Sequence, residues 1–438
     1  MMPRHKRRPP VRRRRYRLNP KVLPTLLLTL VAVGMVIMVV NLLWPGSSIS
    51  AFSQPTAAPT EAPTPEATLA PAEPTAEPTP APTEKTANEA RIRAIGDVMV
   101  HDDELASALQ SDGTYDFAPF FSEVAQSLSD ADYTMGNLET TVGEPGKNGY
   151  SGYPYFHTPK SLLTALKGAG VDMLTTSNNH CLDRYFDGLV ETLDSLDEAG
   201  FDHTGTFRSK SEYQTPYVTE VNGIKIGVVA YTYGANGMDE RSDPDGVMWG
   251  LMFLDNANFE KSAQKLRDAG AEVLIAVPHW GKEYKRAPEN STVDYAKKMA
   301  KAGFDVIIGG HPHMVQPIEW IETERADGTT HRTLVAYSLG NFVSAQTDQY
   351  KDTGIILDFT IHQEISTGEI SITNVGYVPV WVWRYEGDGK NEYRVLPCGA
   401  AMDDVPEGMS DASKRRLSEA WSETLELMQT DGITALRK

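Results

Sequence analysis

Apolar runs alternate with amphipathic stretches between residue 91 and about residue 310. Five stretches carry apolar residues at helical spacing, and we predict helices at 117–129, 160–169, 187–199, 256–269 and 292–302. Each is followed by a run rich in Val, Ile, Leu or Ala, and we predict strands that begin near residues 131, 171, 224, 272 and 304. Regular alternation of helices and strands predicts a layered α/β fold.

The pattern changes in the last quarter of the chain. Consecutive strands are predicted at 331–343, 353–363, 369–377 and 379–386, and their succession without helices indicates a second, more antiparallel sheet. Apolar residues at helical spacing in 410–430 then predict a helix that docks on the body. We therefore divide this part of the chain into a domain at 90–400 and a helical tail at 401–438.

A charge-free apolar run of 23 residues occupies 22–44. As a helix it would rise about 34 Å, which is enough to cross a hydrocarbon core of about 30 Å. Ten basic residues and no acidic residue precede it in 1–21, and the positive-inside rule keeps such an arm in the cytoplasm. We predict a single-pass membrane anchor with the main domain outside the cell. A cleaved signal peptide is the alternative, although its apolar region is normally about 7–15 residues long.

The segment 45–89 is rich in Pro, Thr, Ala and Glu and contains ten prolines. It has too few large apolar residues to bury a core, so we predict a disordered linker. Extended at about 3.1 Å per residue, it would reach roughly 130 Å and act as a passive spacer.

Charge and cysteine content narrow the function classes. The formal net charge is −18, and without the ten basic residues of 1–21 it falls to about −28, which makes nucleic acid an unfavourable partner. The two cysteines, Cys181 and Cys398, are too few for a disulfide framework. We expect small buried thiols, and a single bridge between them stays the alternative.

Polar motifs stand at six places where an apolar strand ends. They are Ile95-Gly96-Asp97, Gly136-Asn137-Leu138-Glu139, Ser177-Asn178-Asn179-His180, Pro278-His279-Trp280-Gly281, Gly310-His311-Pro312-His313 and Ser338-Leu339-Gly340-Asn341. Ligands of open α/β sheets bind beyond the carboxyl ends of the strands, so we expect these side chains to assemble one metal site. Oxygen and imidazole ligands suit divalent Mn, Fe or Zn.

The residue types suggest individual roles. The predicted metal ligands are Asp97, Glu139, Asn179, His279, His311 and His313. His180 is a candidate proton donor because the ordinary pKa of histidine is close to neutral, and Asp183 is a candidate for orienting its ring.

Several neighbouring residues have two readings. His101 either binds the metal or does not, and Asn341 either supports the site or caps a loop. A cationic group beside His279 either gives the site positive charge or forms a solvated loop; it consists of Lys282, Lys285 and Arg286. We expect the histidines without a strand-end setting to be structural: His157, His203, His331 and His362.

Taken in order, the motifs resemble those of the CapA capsule-synthesis family, which belongs to the calcineurin-like metallophosphoesterase superfamily. The matching stretches, within about 90–345, are GDVMVH, GNLETTVG, SNNHCLDRYFDG, PHWGKEY, GHPHMVQPIE and SLGNF. The resemblance implies a four-layer α/β/β/α sandwich of the metallo-dependent phosphatase type, preceded by one transmembrane helix and a disordered stalk. It also implies a role in synthesis or export of a poly-γ-glutamate capsule or a related envelope polymer.

The resemblance further implies two divalent metal ions. One would be held by Asp97, Glu139 and His313, the other by Glu139, Asn179, His279 and His311, with His180 as the acid. Three positions depart from the superfamily pattern. Met99 stands where the first motif has histidine, Glu139 where the bridging residue is aspartate, and Cys181 where an acidic residue is usual.

Three functions are compatible with the sequence. The first is a capsule-polymer accessory enzyme with a metal-dependent hydrolase or transferase step outside the membrane, the second a generic secreted metallophosphoesterase, and the third a non-enzymatic scaffold. The expected partners are the membrane, through the N-terminal helix, the capsule-polymer synthesis machinery, and an anionic polymer or small phosphoester. Whether the protein is an enzyme is left open.

Overall fold

Strands supply the frame of the fold. The computed structural model describes residues 85–147, 149–324, 328–387 and 389–438. Its strands are β1 (Ala87–Val98), β2 (Tyr133–Leu138), β3 (Thr141–Gly143), β4 (His157–Pro159), β5 (Met173–Thr175), β6 (Asp202–Thr204), β7 (Tyr217–Val221), β8 (Ile224–Thr232), β9 (Val273–His279), β10 (Val306–Ile308), β11 (Ile318–Glu324), β12 (Thr330–Ala336), β13 (Asn341–Val343), β14 (Thr353–Glu364), β15 (Ile370–Glu386), β16 (Asn391–Pro397) and β17 (Thr434–Ala435).

Helices fill most of the connections between strands. They are α1 (Asp102–Ala108), α2 (Ala118–Phe121), α3 (Ala125–Ser129), α4 (Ser161–Gly168), α5 (Tyr185–Glu198), α6 (Lys210–Gln214), α7 (Pro244–Gly250), α8 (Phe259–Asp268), α9 (Asn290–Ala302), α10 (Cys398–Asp403) and α11 (Asp411–Leu427), with one 3₁₀ turn at Leu254–Asn256. Helix ends follow local chemistry: the Asn258 side chain accepts from the Lys261 amide to begin α8, and Gly303, at φ 93°, ends α9. All five predicted helices are present, with 117–129 divided into α2 and α3.

Two large sheets carry the site. Over the described residues, the first has nine strands in the order β16-β15-β14-β1-β2-β5-β6, with β13 beside β1 and β17 beside β15. The second has six, in the order β11-β12-β10-β9-β8-β7. Strands β1, β2, β5 and β6 run parallel, as do β8, β9, β10 and β12, so their carboxyl ends lie at one edge of each sheet.

The prediction that the last strands form a second sheet is wrong. β14, β15 and β16 are antiparallel, but they extend the first sheet from β1. Charge explains the pairing, because Arg91 and Arg93 on β1 both bond Asp358 on β14. The second sheet is built from the middle of the chain, and the two strands predicted at 369–377 and 379–386 are the single strand β15.

The fold is a mixed α/β fold with the sheets packed face to face. A buried core between them joins residues such as Ile92 and Met135 of the first sheet to Val228 and Ile275 of the second. The outer face of the first sheet is covered by α1 to α5, and that of the second by α8 and α9. Burial of each such side chain contributes roughly 1.5–3 kcal/mol, so this core fixes the two sheet edges relative to each other.

The C-terminal helix α11 packs against β15. Leu417 and Ala420 share a buried cluster with Trp381 and Trp383, and Asp352 accepts hydrogen bonds from both Trp381 Nε1 and the Arg416 guanidinium at 2.8 Å. The tail therefore docks on the first sheet.

The predicted anchor at 22–44 and most of the predicted linker lie outside the described residues. Over the part of the chain that the structure covers, no helix is both long and apolar enough to span a bilayer. Cys181 and Cys398 are both buried free thiols, as expected from the sequence.

Candidate metal centre

Loops from both sheets converge at one point, beyond the ends of β1, β2 and β9. From the first sheet, Asp97 Oδ1 accepts from Asn137 Nδ2 at 2.8 Å. Across the gap between the sheets, His279 Nε2 lies 2.7 Å from Asn179 Oδ1. These buried contacts place residues from opposite sheets in one polar cluster.

Asp97 is tied to the loop that carries the two neighbouring histidines. Its Oδ2 lies 3.1 Å from His313 Nδ1 and accepts from the His311 amide at 3.3 Å. Burial acts to raise the pKa of Asp97, but the hydrogen bond and the charge of His313 outweigh it and hold this pKa at about 2. Burial likewise acts to lower the pKa of His313, yet the carboxylates of Glu139 and Asp97 raise it to about 9. This part of the cluster is an ion pair.

Glu139 lies at the base of the cluster and is fully buried. Within the described residues neither of its carboxylate oxygens has a hydrogen-bond partner. The nearest imidazole nitrogens are His279 Nε2 at 3.3 Å and His313 Nε2 at 3.8 Å from Oε1. Burial, followed by the charge of Asp97, raises the pKa of Glu139 to about 8. An unsatisfied buried carboxylate is costly, and a bound cation would remove that cost.

The imidazoles on the other side of Glu139 are held neutral. Burial lowers the pKa of His279 to about 3 and that of His311 well below its ordinary value. The Nδ1 atom of His311 is buried and has no partner in the described structure. Neutral imidazole is the form that binds metals.

Of the groups in the described residues with the geometry to hold a cation, two share Glu139. In each, one ligand atom per residue lies within 4.8 Å of the others; the groups are Asp97 with Glu139 and His313, and Glu139 with His279 and His311. Glu139 belongs to both, and Asn179 joins the second through its contact with His279. The structure therefore brings all six predicted ligands together, and the orphaned oxygens of Glu139 fit a divalent cation.

The candidate proton donor lies beside this cluster. His180 Nδ1 is 2.7 Å from Asp183 Oδ2, and the same oxygen accepts from the Phe156 amide at 2.7 Å. Phe156 also packs edge-on against the His180 ring, with 4.7 Å between centroids. Burial raises the pKa of Asp183 against the opposing charge of His180. The contacts fix the ring and leave Nε2 as the nitrogen that is free of Asp183.

The structure assigns different roles to His101 and Asn341, which the sequence left open. His101 stands at the start of α1, where its ring and its amide both contact Glu104 Oε2, at 3.3 and 2.7 Å. It belongs to neither of the two groups. Asn341, by contrast, places Oδ1 3.1 Å from His313 Nδ1 and donates from Nδ2 to the Lys351 carbonyl at 2.8 Å, so it positions a predicted ligand.

Three residues at the site are not among those predicted for it. Asn137 links Asp97 to Asn178 and is part of the Gly-Asn-Leu-Glu motif, so its place could have been inferred. The Tyr233 ring packs against His311 with 4.5 Å between centroids and 43° between the ring planes. Tyr233 directly follows β8, and this strand-end position could have pointed to the site. Glu283, four residues after His279, forms a further group with His311 and His313.

The turn that carries the two histidines has an unusual backbone. His311 and His313 have φ angles of 97° and 54°, which non-glycine residues rarely adopt and which cost on the order of 1–3 kcal/mol each. Gly310 precedes them, and a Cβ there would lie 2.7 Å from Asp97 Oδ1. The turn thus brings its backbone directly against a predicted ligand.

We expect Gly310→Ala to weaken divalent metal binding by at least about tenfold, because the added methyl group displaces the Asp97 carboxylate without removing any ligand. Gly234→Ala is the control, since nothing lies within 4 Å of a Cβ at that position. Titration of both metal-stripped variants with Mn²⁺ checks this. Equal affinities would show that the Gly310 contact does not position Asp97.

The chain is similar in sequence to two proteins that are named for capsule or PGA biosynthesis. The chain is 26% identical over 262 residues to the capsule biosynthesis protein CapA of Bacillus anthracis, covering 58% of this chain and 59% of that protein. It is 29% identical over 232 residues to the PGA biosynthesis protein CapA of Bacillus subtilis, covering 52% and 57%. The chain thus spans less than two thirds of these relatives.

The solved structures that resemble this chain do so with low sequence identity and a low TM-score. The calcineurin-like phosphoesterase YfkN of Bacillus subtilis aligns with 14% identity and a TM-score of 0.37, over 78% of this chain and 98% of that one. A phosphatase from Mycoplasma pneumoniae aligns with 13% identity and the same TM-score, over 67% and 94%.

The family comparison is decisive. Residues 91–346, which contain all six polar motifs, match the profile described as bacterial capsule synthesis protein PGA_cap. This match confirms the family predicted from the motifs. The chain belongs to the PGA_cap family of bacterial capsule synthesis proteins.

Proposed function

We propose that this protein acts in synthesis or export of poly-γ-glutamate or a related envelope polymer through a dinuclear, metal-dependent hydrolase-type centre of the metallo-dependent phosphatase type. The observation that carries the proposal is Glu139, a fully buried carboxylate with two unsatisfied oxygens, shared by two groups of ligands. A buried carboxylate with a purely structural role would have hydrogen-bond partners.

The donor set explains what chemistry the site can do. Two divalent ions bound here would supply an activated water and polarise a phosphoryl or carbonyl oxygen. Asp97, Glu139 and the three histidines would hold the ions, and the burial of these side chains keeps bulk water away from them. His180, held by Asp183 through Nδ1, presents Nε2 to give a proton to a leaving group.

The surroundings of the site favour an anionic substrate group in spite of the acidic body. Lys282 and Lys285 are exposed on the loop that follows His279. Arg286 is occupied, since its guanidinium donates to the Glu423 carbonyl and lies over the Tyr350 ring. Two exposed cations on the loop that follows His279 would offset part of the local effect of the net negative charge.

The cellular setting belongs to the same proposal. The basic arm at 1–21 and the apolar run at 22–44 favour a single-pass anchor with a cytoplasmic N-terminus. The Pro-rich stretch that follows would hold the folded domain away from the membrane, near an envelope polymer on the outer side. The capsule-polymer synthesis machinery is the proposed partner, as the names of the two CapA relatives suggest.

The test is complementation of a deletion strain. Because His311 belongs to one ligand group and His313 to the other, the double substitution His311→Ala with His313→Ala should accumulate normally in the envelope yet make no polymer. His362→Ala is the control, since this side chain is partly exposed and in the described structure it forms a hydrogen bond only with Glu89. Polymer made by the double variant at the wild-type level would remove the catalytic proposal and leave a scaffold. Rapid cleavage of simple phosphodiesters by the wild type would instead favour a general phosphoesterase.

A further inference from the structure

Glu283 is a half-buried carboxylate at the opening of the metal centre. One of its oxygens lies within 4.8 Å of a nitrogen of His311 and of a nitrogen of His313. Those two histidines belong to different ligand groups, so Glu283 faces both of the candidate cation positions. Its neighbours on the same loop, Lys282 and Lys285, are exposed.

The loop around Glu283 is folded back toward the histidines. Gly281 and Tyr284 have φ angles of 82° and 62°, and the second of these is rare for a residue with a side chain. The Tyr284 amide donates to the Pro312 carbonyl at 2.8 Å, which ties the loop to the turn that carries His311 and His313. The Lys351 ammonium lies 4.1 Å above the Tyr284 ring and holds it from the outer side. The position of Glu283 is thus fixed by its neighbours.

The two candidate positions differ in the number of protein ligands. One has Glu139, His279 and His311 together with Asn179, whereas the other has Asp97, Glu139 and His313. Met99 stands where the resemblance would place a further imidazole, and it is buried. His101, the nearest substitute in sequence, is engaged with Glu104. The Asp97 position therefore lacks one donor.

We propose that Glu283 is a third carboxylate ligand of the metal centre and supplies the donor missing beside Asp97 and His313. This inference rests on the proposed function, since it takes the metal centre as given. With Asp97 and Glu139, three carboxylates leave two divalent cations with one unbalanced positive charge. That charge retains attraction for an anionic substrate group, while the extra oxygen ligand favours ions such as Mn²⁺.

The experiment titrates the metal-stripped full chain with Mn²⁺ by calorimetry and measures bound metal by mass spectrometry. Glu283→Gln keeps the shape of the side chain and removes its charge, so we expect binding of one Mn²⁺ to weaken by at least about tenfold. Glu283→Asp keeps the charge on a shorter side chain and should lose less affinity than the glutamine variant. This order would not arise if Glu283 served only to shape the loop.

The control is Glu289→Gln, an exposed acid six residues further on whose side chain makes no helix-capping bond. It should bind Mn²⁺ as the wild type does. Thermal melting in EDTA separates ligand loss from misfolding, and if the glutamine variant does not fold, wild-type affinity in Glu283→Asp overturns the inference. Wild-type affinity and stoichiometry in a folded Glu283→Gln variant also overturn it, and the dinuclear proposal stands. A wild-type protein that binds no Mn²⁺ overturns both proposals.

Discussion

Glu139→Gln should weaken Mn²⁺ binding by at least about 100-fold and remove polymer synthesis. Substituting a residue that only orients a metal ligand already lowers metal affinity about 10–100-fold, and Glu139 is itself shared by both ligand groups. Glutamine has nearly the same volume but no charge, so the loss is electrostatic. Calorimetric titration of the metal-stripped protein gives the affinity. A glutamine variant with wild-type affinity would show that Glu139 is not a ligand.

The pH dependence of the wild type provides an independent check on Glu139. In the metal-free protein its pKa is raised to about 8 and that of His313 to about 9, so both hold protons at neutral pH and must release them to bind a cation. Mn²⁺ affinity should therefore rise between about pH 6 and pH 9, with proton release detected as a dependence of the binding enthalpy on the buffer. No release would contradict these ligand assignments.

The same carboxylate should destabilise the metal-free protein at high pH. Its folded-state pKa lies above the ordinary value of 4.5, so its favourable contribution is complete below about pH 4.5 and is lost as the pH rises through about 8. In EDTA, Glu139→Gln should gain stability relative to the wild type across this range. Excess Mn²⁺ should reverse the order of the two proteins.

Asp358→Ala should lower the free energy of unfolding by about 3–5 kcal/mol, because it leaves a buried guanidinium without its counter-charge. Asp358 Oδ2 accepts from Arg93 Nε at 2.7 Å, and the Arg93 and Asp358 side chains are only 2% and 4% exposed. Arg91 adds a bond to each carboxylate oxygen, at 2.6 and 3.0 Å. Urea unfolding followed by tryptophan fluorescence measures the change.

Two further variants separate burial from charge pairing. Glu322→Ala removes an ion pair with Arg332 in which both side chains are more than half exposed, and it should cost less than about 0.5 kcal/mol. The double substitution of Arg93→Met with Asp358→Leu replaces the buried pair by apolar side chains and should recover part of the stability lost in Asp358→Ala. Equal effects of Asp358→Ala and Glu322→Ala would contradict this explanation of how β1 and β14 pair.

The sequence predicts the site better than the sheets because its signals are local. Each predicted ligand lies in the last residues of an apolar strand or within five residues after it, and parallel strands bring their carboxyl ends to one edge. Membership of β14 in the first sheet depends on Arg93 meeting Asp358, which is 265 residues away in sequence. Short-range periodicity contains no information about such a partner.

The residues whose roles were not predicted show the same difference between local and long-range contacts. Glu104 Oε2 accepts from the His101 amide across three residues, so the contact that holds His101 at the start of α1 is local. The position of Asn341 beside His313 depends on the pairing of β13 with β1, which no local pattern indicates. Tyr233 combines both cases: its position at a strand end is visible in the sequence, but its ring contact with His311 requires the folded loops.

The long separation between β1 and its antiparallel neighbour governs when the protein can finish folding. Arg91 on the first strand bonds a residue synthesised 267 positions later. At about 5–20 residues per second, a ribosome needs roughly 13–50 s to deliver that partner, and one edge of the nascent central strand is open to wrong pairing throughout. Chaperone protection during this interval, more than the final stability, would then set the yield of correctly folded molecules.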